Sequence, residues 1–169
     1  MEEFGFTHLS AGDLLRAERD TGSEVAELIN NYIREGLIVP KEITIGLLKT
    51  AMEKSANSAG YLIDGFPRAL DQWTAFEDTV VPAKYGLYFV CSEEELERRL
   101  LERGKTSGRV DDNIESIKKR FKTFQDTSLP VIEGLREQGR LQEVDSSLPV
   151  DEVYASVRDF FATQGQDAE

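Results

Sequence analysis

The chain alternates between short apolar runs and longer segments in which apolar residues recur every three or four positions. The apolar runs of strand length lie at residues 6–9, 61–64, 86–91 and 141–144. Between them, a spacing such as that of Val25, Leu28 and Ile29 is typical of a helix with one buried face. Strands that alternate with helices predict a parallel sheet with right-handed crossovers, so we expect a single domain with a doubly wound α/β fold.

Polar residues ahead of the apolar segments predict where helices begin. Ser10 and Ser92 each stand three residues before an acidic residue, which is the spacing of a capping box or its short analogue. Residues 111–113, Asp-Asp-Asn, form a set of capping residues before the next helix, on whose exposed side we place Arg120. Because the run 86–91 is apolar throughout, we expect that strand to be buried on both faces.

Size and charge narrow the class of protein. The 169 residues are enough for one domain with a hydrophobic core. A net charge of −12 argues against a nucleic-acid scaffold, which needs a basic surface. No apolar stretch approaches the ~18 residues of a membrane span, and the first residues do not resemble a secretory signal. The single cysteine, Cys91, fits a reducing compartment, so we expect a cytoplasmic protein with passive access to the nucleus.

The stretch 62–68 contains the residue types that phosphate chemistry requires. An apolar strand ends at Asp64, a Gly-Phe-Pro turn follows, and Arg68 comes next. A carboxylate at the carboxyl end of a buried strand can hold a magnesium ion through its waters, and a guanidinium can bind a phosphate with two hydrogen bonds. The partner motif, a glycine-rich loop closing in Gly-Lys-Ser/Thr, is absent from the sequence. Its single Gly-Lys is Gly104-Lys105, and Arg99 occupies the position of that motif's first glycine.

Two further segments place arginines beside groups that favour anions. Residues 10–16 put Arg16 one turn after the N-terminus of a helix. Residues 103–109 form a pliable loop with Arg103 and Arg109 at its ends, and the paired aspartates 111 and 112 that follow can hold it. Such a loop can close over a phosphate and exclude water. The alternative interpretations are a capped helix with a solvated arginine and a surface loop with incidental charge.

Five segments in this order resemble the adenylate/uridylate kinases, which are nucleoside monophosphate kinases of the P-loop class. They are His-Leu-Ser-Ala-Gly-Asp-Leu-Leu-Arg (8–16), Glu-Gly-Leu-Ile-Val-Pro (35–40), Ile-Asp-Gly-Phe-Pro-Arg (63–68), Glu-Arg-Gly-Lys-Thr-Ser-Gly-Arg-Val-Asp-Asp-Asn (102–113) and Lys-Lys-Arg (118–120). The resemblance runs from Phe4 to about residue 161, and within the family it is greatest to the eukaryotic UMP/CMP kinases. It implies an acceptor-binding region at residues 10–40, a short lid at 104–113 and a core formed by the remainder.

The resemblance also implies roles for individual residues. Arg16 and Arg68 would hold the monophosphate, and Arg103 would contact ATP. Arg109 and Arg120 would contact the acceptor and stabilise the transferring phosphoryl group, while Asp64 would orient the waters of a Mg²⁺ ion bound with ATP. The other residues that would surround the acceptor are Leu37, Ile38, Val39, Gly65, Phe66, Pro67 and Gln72. This chemistry is mostly positioning and charge neutralisation, which suits clustered arginines on an acidic protein.

The resemblance favours UMP and CMP as acceptors, with AMP as the alternative. Gln72 falls where the family reads the base with a side-chain amide, and adenylate kinases usually have Gln there. Ala11 stands where those kinases commonly have Thr, and residues 40–45 resemble the UMP/CMP group, whereas Val110 is common in short-lid adenylate kinases. We therefore expect a monomeric enzyme that converts UMP and CMP to their diphosphates.

Members of this family have a strand, the phosphate loop and most of a helix ahead of the position of Phe4. That first strand lies in the centre of their sheet, between the strands that correspond here to 61–64 and 86–91. We therefore expect residues 1–169 on their own to lack the central strand and the phosphate-loop lysine, to fold poorly or aggregate, and to be inactive. A non-catalytic nucleotide-binding relative is the other interpretation, although all five expected arginines and Asp64 are present.

Overall fold

Helices and short strands alternate along the chain. In the computed structural model of the protein, residues 3–55 and 57–166 are described, with side chains up to residue 163. The elements in chain order are β1 (Phe6–Ser10), α1 (Ala11–Asp20), α2 (Ala26–Arg34), α3 (Lys41–Lys54), β2 (Gly60–Asp64), α4 (Leu70–Thr79), β3 (Gly86–Val90), α5 (Glu93–Gly104), α6 (Ile114–Thr123), a π-helical segment (Phe124–Ser128), α7 (Leu129–Glu137), β4 (Leu141–Asp145) and α8 (Val150–Gln166). The predicted order of strands and helices is confirmed.

All strand pairing in the described residues is parallel. β1 pairs with β2, from Phe6 opposite Gly60 to Ser10 opposite Asp64. β3 pairs with β4 in the same way, but β2 and β3 are not hydrogen-bonded to each other, so the described strands form two two-stranded sheets. The parallel α/β architecture is confirmed. The break between the sheets falls where the family resemblance places a central strand.

The predicted burial of β3 on both faces is wrong. Phe89 is 47% exposed and Val90 is 37% exposed, although both lie in an apolar strand. Helix α7 covers the start of the strand so closely that a Cβ on Gly86 would lie 2.7 Å from Leu135 Cδ1. This cover does not extend to the end of the strand, and in the described residues β4 is its single neighbour.

Helix α4 belongs to both hydrophobic clusters. Phe76 packs in the first cluster with Leu9 of β1 and Leu48 of α3. Trp73 packs in the second cluster with residues of α7, and Gly134 allows close approach there, since a Cβ would lie 2.6 Å from Trp73 Cζ3. The helix that directly follows Arg68 is therefore held on both sides, which fixes the end of the loop that carries this arginine.

Candidate active site

The pairing of β1 with β2 brings two of the predicted segments together. Ser10 ends β1 opposite Asp64 at the end of β2, so the start of α1 lies beside the 64–68 loop. The Ser10 hydroxyl accepts a hydrogen bond from the Asp13 backbone N–H at 3.3 Å, which confirms the predicted cap. Gly12 leaves space for Arg16, because a Cβ there would lie 3.2 Å from both terminal guanidinium nitrogens. Arg16 thus lies along the first turn of α1.

The 64–68 loop holds Arg68 through its backbone. Gly65 has a φ of +72°, which favours glycine, and its carbonyl accepts a 2.7 Å hydrogen bond from Arg68 Nε. A Cβ on Gly65 would lie 2.9 Å from Arg68 Nη2, so a side chain there would displace the guanidinium. Phe66 packs edge-on against Phe76 with 5.3 Å between ring centroids, and the peptide bond to Pro67 is cis.

The surroundings of Arg68 favour a bound anion. Solvent reaches its side chain, yet protein atoms crowd it on most sides, and this desolvation is the main cause that lowers the pKa of the guanidinium. The positive charge of Arg120 lowers the pKa further, against the opposing effects of Asp64 and Asp111. An incoming phosphate would add negative charge beside this guanidinium and so favour its charged form.

Gln72 connects the 64–68 loop to the segment 37–39. Its side chain is buried, with 3% exposure, and its Oε1 accepts a 2.9 Å hydrogen bond from the Arg68 backbone N–H. Its Nε2 donates to the Val39 carbonyl at 3.3 Å. Leu37, by contrast, is 55% exposed. The residues expected to surround the acceptor nucleotide are therefore held together by one amide side chain, with Leu37 open to a ligand.

The loop 103–109 is held by an ion pair between Arg103 and Asp112, as expected of the paired aspartates that follow it. Both oxygens of Asp112 accept hydrogen bonds from Arg103, at 2.8 and 2.6 Å, and Ser107 Oγ donates to Asp112 at 3.0 Å. Desolvation acts to raise the pKa of Asp112, but the hydrogen bonds from Arg103 and Ser107 outweigh it and lower the pKa overall. Of residues 111–113, Asn113 alone caps α6, through the Ser116 backbone N–H at 3.0 Å.

Gly104 makes this anchor sensitive to substitution. A Cβ on Gly104 would lie 2.5 Å from the Asp112 carbonyl oxygen, and this backbone atom cannot rotate away. We expect Gly104→Ala to lower the free energy of unfolding by about 1–3 kcal/mol, as overpacking does. Gly46→Ala is the control, because nothing lies within 4 Å of its Cβ and the same change in α3 should stabilise by about 0.4–1 kcal/mol. Urea unfolding midpoints that shift equally for both variants would contradict this expectation.

The sequence predicts that Arg120 lies on an exposed side of α6, and this prediction is wrong. Its side chain is 26% exposed, and Nη1 lies 2.9 Å from Asp111 Oδ2. That nitrogen is buried and has no hydrogen-bond partner of acceptable geometry in the described part of the chain. Desolvation is the main cause that lowers the pKa of the Arg120 guanidinium. A buried N–H group without a good partner is a candidate donor to a phosphate oxygen.

Arg109 reaches from the loop 103–109 to α1. Its Nη2 lies 3.7 Å from Asp13 Oδ1, the same oxygen that accepts a hydrogen bond from Arg16. The hydrogen bond from Arg16 is the main cause that lowers the pKa of Asp13. Arginines of this loop and of α1 therefore face one carboxylate.

The structure brings all five predicted arginines into one cluster. Arg68 lies near enough to Arg16 and Arg120 for their charges to lower its pKa, and Arg103 and Arg109 act on Arg120 in the same way. The carboxylates among them are Asp13, Asp64, Asp111 and Asp112. Such a cluster can hold several phosphate groups at once, because bound phosphates relieve the repulsion between neighbouring guanidiniums.

Asp64 fits a magnesium ion that is bound together with a nucleotide. Its side chain is 65% exposed at the carboxyl end of β2, and one oxygen lies 3.7 Å from His8 Nε2. Residues 3–55 and 57–166 contain no group of three or more metal-ligating side chains. The described residues would therefore supply fewer than three such side chains to the site, Asp64 among them, with waters and phosphate oxygens completing the coordination.

The sequence patterns do not show which arginines the acidic residues contact. The spacing predicts Asp13 as part of a helix cap and predicts that the paired aspartates 111 and 112 hold the preceding loop, and in the structure all three form ion pairs with arginines. The sequence signal for these ion pairs is that Asp13, Asp111 and Asp112 each lie within ten positions of the arginine that they contact. A carboxylate near the start of a helix can cap it or pair with a distant cation, and spacing alone does not separate the two.

The described geometry is that of a phosphate-binding α/β protein, and comparison with known proteins identifies its family. The adenylate kinase family matches residues 1–140, so this chain belongs to the adenylate kinase family. It is 53% identical to UMP-CMP kinase 3 of Oryza sativa subsp. japonica, over 96% of this chain and 76% of that protein. It is 52% identical to the uridylate kinase of Saccharomyces cerevisiae, over 94% of this chain and 79% of that protein. It is also 48% identical to the UMP-CMP kinase of Danio rerio, over 94% of this chain and 85% of that protein.

Proposed function

We propose that this protein transfers the γ-phosphoryl group of ATP to the pyrimidine nucleoside monophosphates UMP and CMP. The observation that carries the proposal is the arrangement of arginines around Asp13, with Arg16 on the acceptor side and Arg109 on the lid side. Two phosphate-bearing substrates could meet between these two groups. The names of the relatives, UMP-CMP kinase and uridylate kinase, support this choice of acceptor.

In this reaction an oxygen of the monophosphate attacks the γ-phosphorus of ATP, and the bond to the leaving ADP oxygen breaks. Arg16 and Arg68 hold the acceptor phosphate, and Arg103 contacts ATP. Arg109 and Arg120 donate hydrogen bonds to the transferring group, where negative charge must be neutralised. Asp64 would hold the waters of a Mg²⁺ ion bound with ATP, which would supply further charge neutralisation. The cradle for the β- and γ-phosphates of ATP requires a phosphate loop, which the sequence 1–169 does not contain.

The test is an ADP-release assay in a chain that supplies such a loop. We define the completed chain as residues 1–169 joined at Met1 to the phosphate-loop segment of the rice relative. UMP and CMP should have the highest kcat/KM, AMP should follow, and GMP should be poor. GMP ranking first would contradict the proposed acceptor class, and AMP ranking first would favour an adenylate kinase. Turnover with none of the four would favour a non-catalytic nucleotide-binding relative.

Base recognition is assigned to Gln72 and its neighbours. The acceptor nucleoside would lie along Leu37, Ile38 and Val39, and its phosphate would contact residues 65–67. A side-chain amide has two N–H donors and an oxygen with two lone pairs, and contacts within the protein use one of each. One donor and one acceptor position remain for the edge of a base. This pair suits a pyrimidine and also adenine, which is why AMP is the alternative acceptor.

Replacing Gln72 by leucine is expected to lower kcat/KM for UMP, CMP and AMP by roughly 10²-fold or more. The base edge left without a hydrogen bond costs about 1–3 kcal/mol in the complex, and loss of the contacts to the Arg68 N–H and the Val39 carbonyl would also loosen the residues that position the acceptor. Gln142→Leu is the matched control, because Gln142 is on β4 and, among the described residues, donates only to the neighbouring Glu143 carbonyl at 2.8 Å. Steady-state assays of both variants in the completed chain would contradict the assignment if the two had equal effects.

We place the protein in the cytoplasm with access to the nucleus, acting as a monomer on ATP and a monophosphate. The single cysteine and the acidic composition support this location. No helix in the part of the chain that the structure describes is long and apolar enough to cross a membrane.

A further inference from the structure

One face of α6 receives the turn that precedes the segment 37–39. Ser116 Oγ donates to the Arg34 carbonyl at 3.3 Å, and Lys119 Nζ donates to Glu35 Oε2 at 2.9 Å. Thr123 Oγ1 donates to the Gly36 carbonyl at 2.9 Å. Positions 116, 119, 120 and 123 follow the spacing of a single helix face, so consecutive residues of the turn meet consecutive turns of α6.

Gly36 lets this turn pack directly against the backbone and the first side-chain atoms of Arg120. Its φ is +65°, and a Cβ there would lie 3.2 Å from the Arg120 backbone nitrogen and 3.1 Å from Arg120 Cγ. The residue is buried, so no solvent separates the turn from the helix. The Arg120 side chain leaves the helix beside this contact and continues to Asp111. A shift of the turn would therefore change where the guanidinium lies.

The other end of the same segment reaches Arg68. The Leu37 backbone N–H donates to the Tyr32 carbonyl at 2.9 Å, and the Val39 carbonyl accepts from Gln72. Gln72 in turn accepts from the Arg68 backbone N–H. Residues 36–39 are thus a strap whose first residue touches Arg120 and whose last residue is tied to the loop of Arg68.

The geometry points to Thr123 as a positioning residue that couples the nucleoside segment to Arg120. This inference rests on the proposed function, because it assumes that a nucleoside lies along residues 37–39. A nucleoside that orders the strap also fixes Gly36, and Thr123 transmits this order to α6 through the Gly36 carbonyl. Binding of the nucleoside should therefore strengthen binding of phosphate at Arg68 and Arg120, and by linkage phosphate should strengthen nucleoside binding.

The test measures this coupling with two separate fragments, uridine and inorganic phosphate, by calorimetric titration of the completed chain. Saturating uridine should raise the phosphate affinity about fivefold or more in the unsubstituted protein. Thr123→Val removes the hydroxyl at nearly constant volume. In this variant uridine should leave the phosphate affinity almost unchanged. Thr123→Ser, which keeps the hydroxyl, should retain it. Thr163→Val on α8 is the matched control, since Thr163 donates within its own helix to Asp159.

The outcomes separate the inference from the proposed function. If neither uridine nor phosphate binds, the proposed function fails and the inference fails with it. If both bind but uridine does not raise the phosphate affinity, or if Thr123→Val keeps the gain, the inference alone is overturned. Should Thr123→Val fail to fold, Lys119→Met tests the same face at a more exposed position. It should reduce the gain by removing the contact with Glu35, and an unchanged gain would again overturn the inference.

Discussion

Replacing Arg109 by alanine is expected to slow phosphoryl transfer from ATP to UMP by roughly 10³-fold in the completed chain, the order of effect of arginines in related phosphoryl transfers. The reason lies in its position, since Arg109 Nη2 is 3.7 Å from an oxygen that also accepts from Arg16. The side chain extends from the loop 103–109 to α1, where the proposed function places the acceptor phosphate. Its loss would remove a positive charge where negative charge must be neutralised during transfer.

The KM for UMP should change much less than kcat, because Arg16 and Arg68 remain to hold the acceptor phosphate. Steady-state kinetics with saturating ATP separates the two constants. Arg158→Ala is the matched control, since Arg158 is on α8 and pairs only with the neighbouring Asp159 among described residues, at 3.5 Å. A fall in kcat of less than tenfold for Arg109→Ala, or an equal fall in the control, would show that this arginine does not act on the transferring group.

Local sequence patterns were sufficient where local interactions determine the structure. Ser10 and Ser92 cap the helices that follow them, each accepting a hydrogen bond from a backbone N–H three residues later at 3.3 Å. The spacing of Val25, Leu28 and Ile29 predicts a helix where the structure has α2. Both signals depend on residues less than one or two turns apart, and such contacts form in the same way in most folds.

Burial of β3 could not be predicted in this way. An apolar run shows that a strand can be buried, but the cover depends on which elements pack against it. At Gly86 this cover is Leu135 of α7, almost fifty positions later, whereas Phe89 and Val90 are partly open to solvent. The sequence shows that the side chains of β3 are apolar enough to be buried. The packing of other elements against β3 determines which of them are.

The setting of the arginines was the least predictable part of the site. Their identities follow from the family resemblance, but Arg120 was assigned to an exposed helix face. It is in fact paired with Asp111, and Thr123 of the same helix contacts a backbone carbonyl 87 positions away. A backbone carbonyl is present at every residue, so no residue type marks the partner of Thr123. Such contacts follow from the fold and not from any local pattern.

Adding a strand and a phosphate loop between the two separate sheets is expected to have the other large effect on activity. We expect residues 1–169 on their own to show no UMP-dependent consumption of ATP, and the completed chain to turn over at about 1 s⁻¹ or faster, as kinases do. Within the described residues, β2 and β3 each have one paired edge, and a parallel strand between them would satisfy the other edges. The loop after that strand would then lie at the same end of the sheet as Asp64 and the arginine cluster, because the carboxyl ends of parallel strands share one side.

Replacing the phosphate-loop lysine of the completed chain by alanine separates the two contributions of the added segment. The variant keeps the strand, so its thermal unfolding should remain cooperative, but its turnover should fall by several orders of magnitude because the charge on the β- and γ-phosphates is no longer balanced. An ADP-release assay and a thermal melt on the same three proteins provide both readouts. Measurable UMP-dependent turnover by residues 1–169 alone would mean that another part of this chain cradles ATP, and the assignment of that role to a phosphate loop would be wrong.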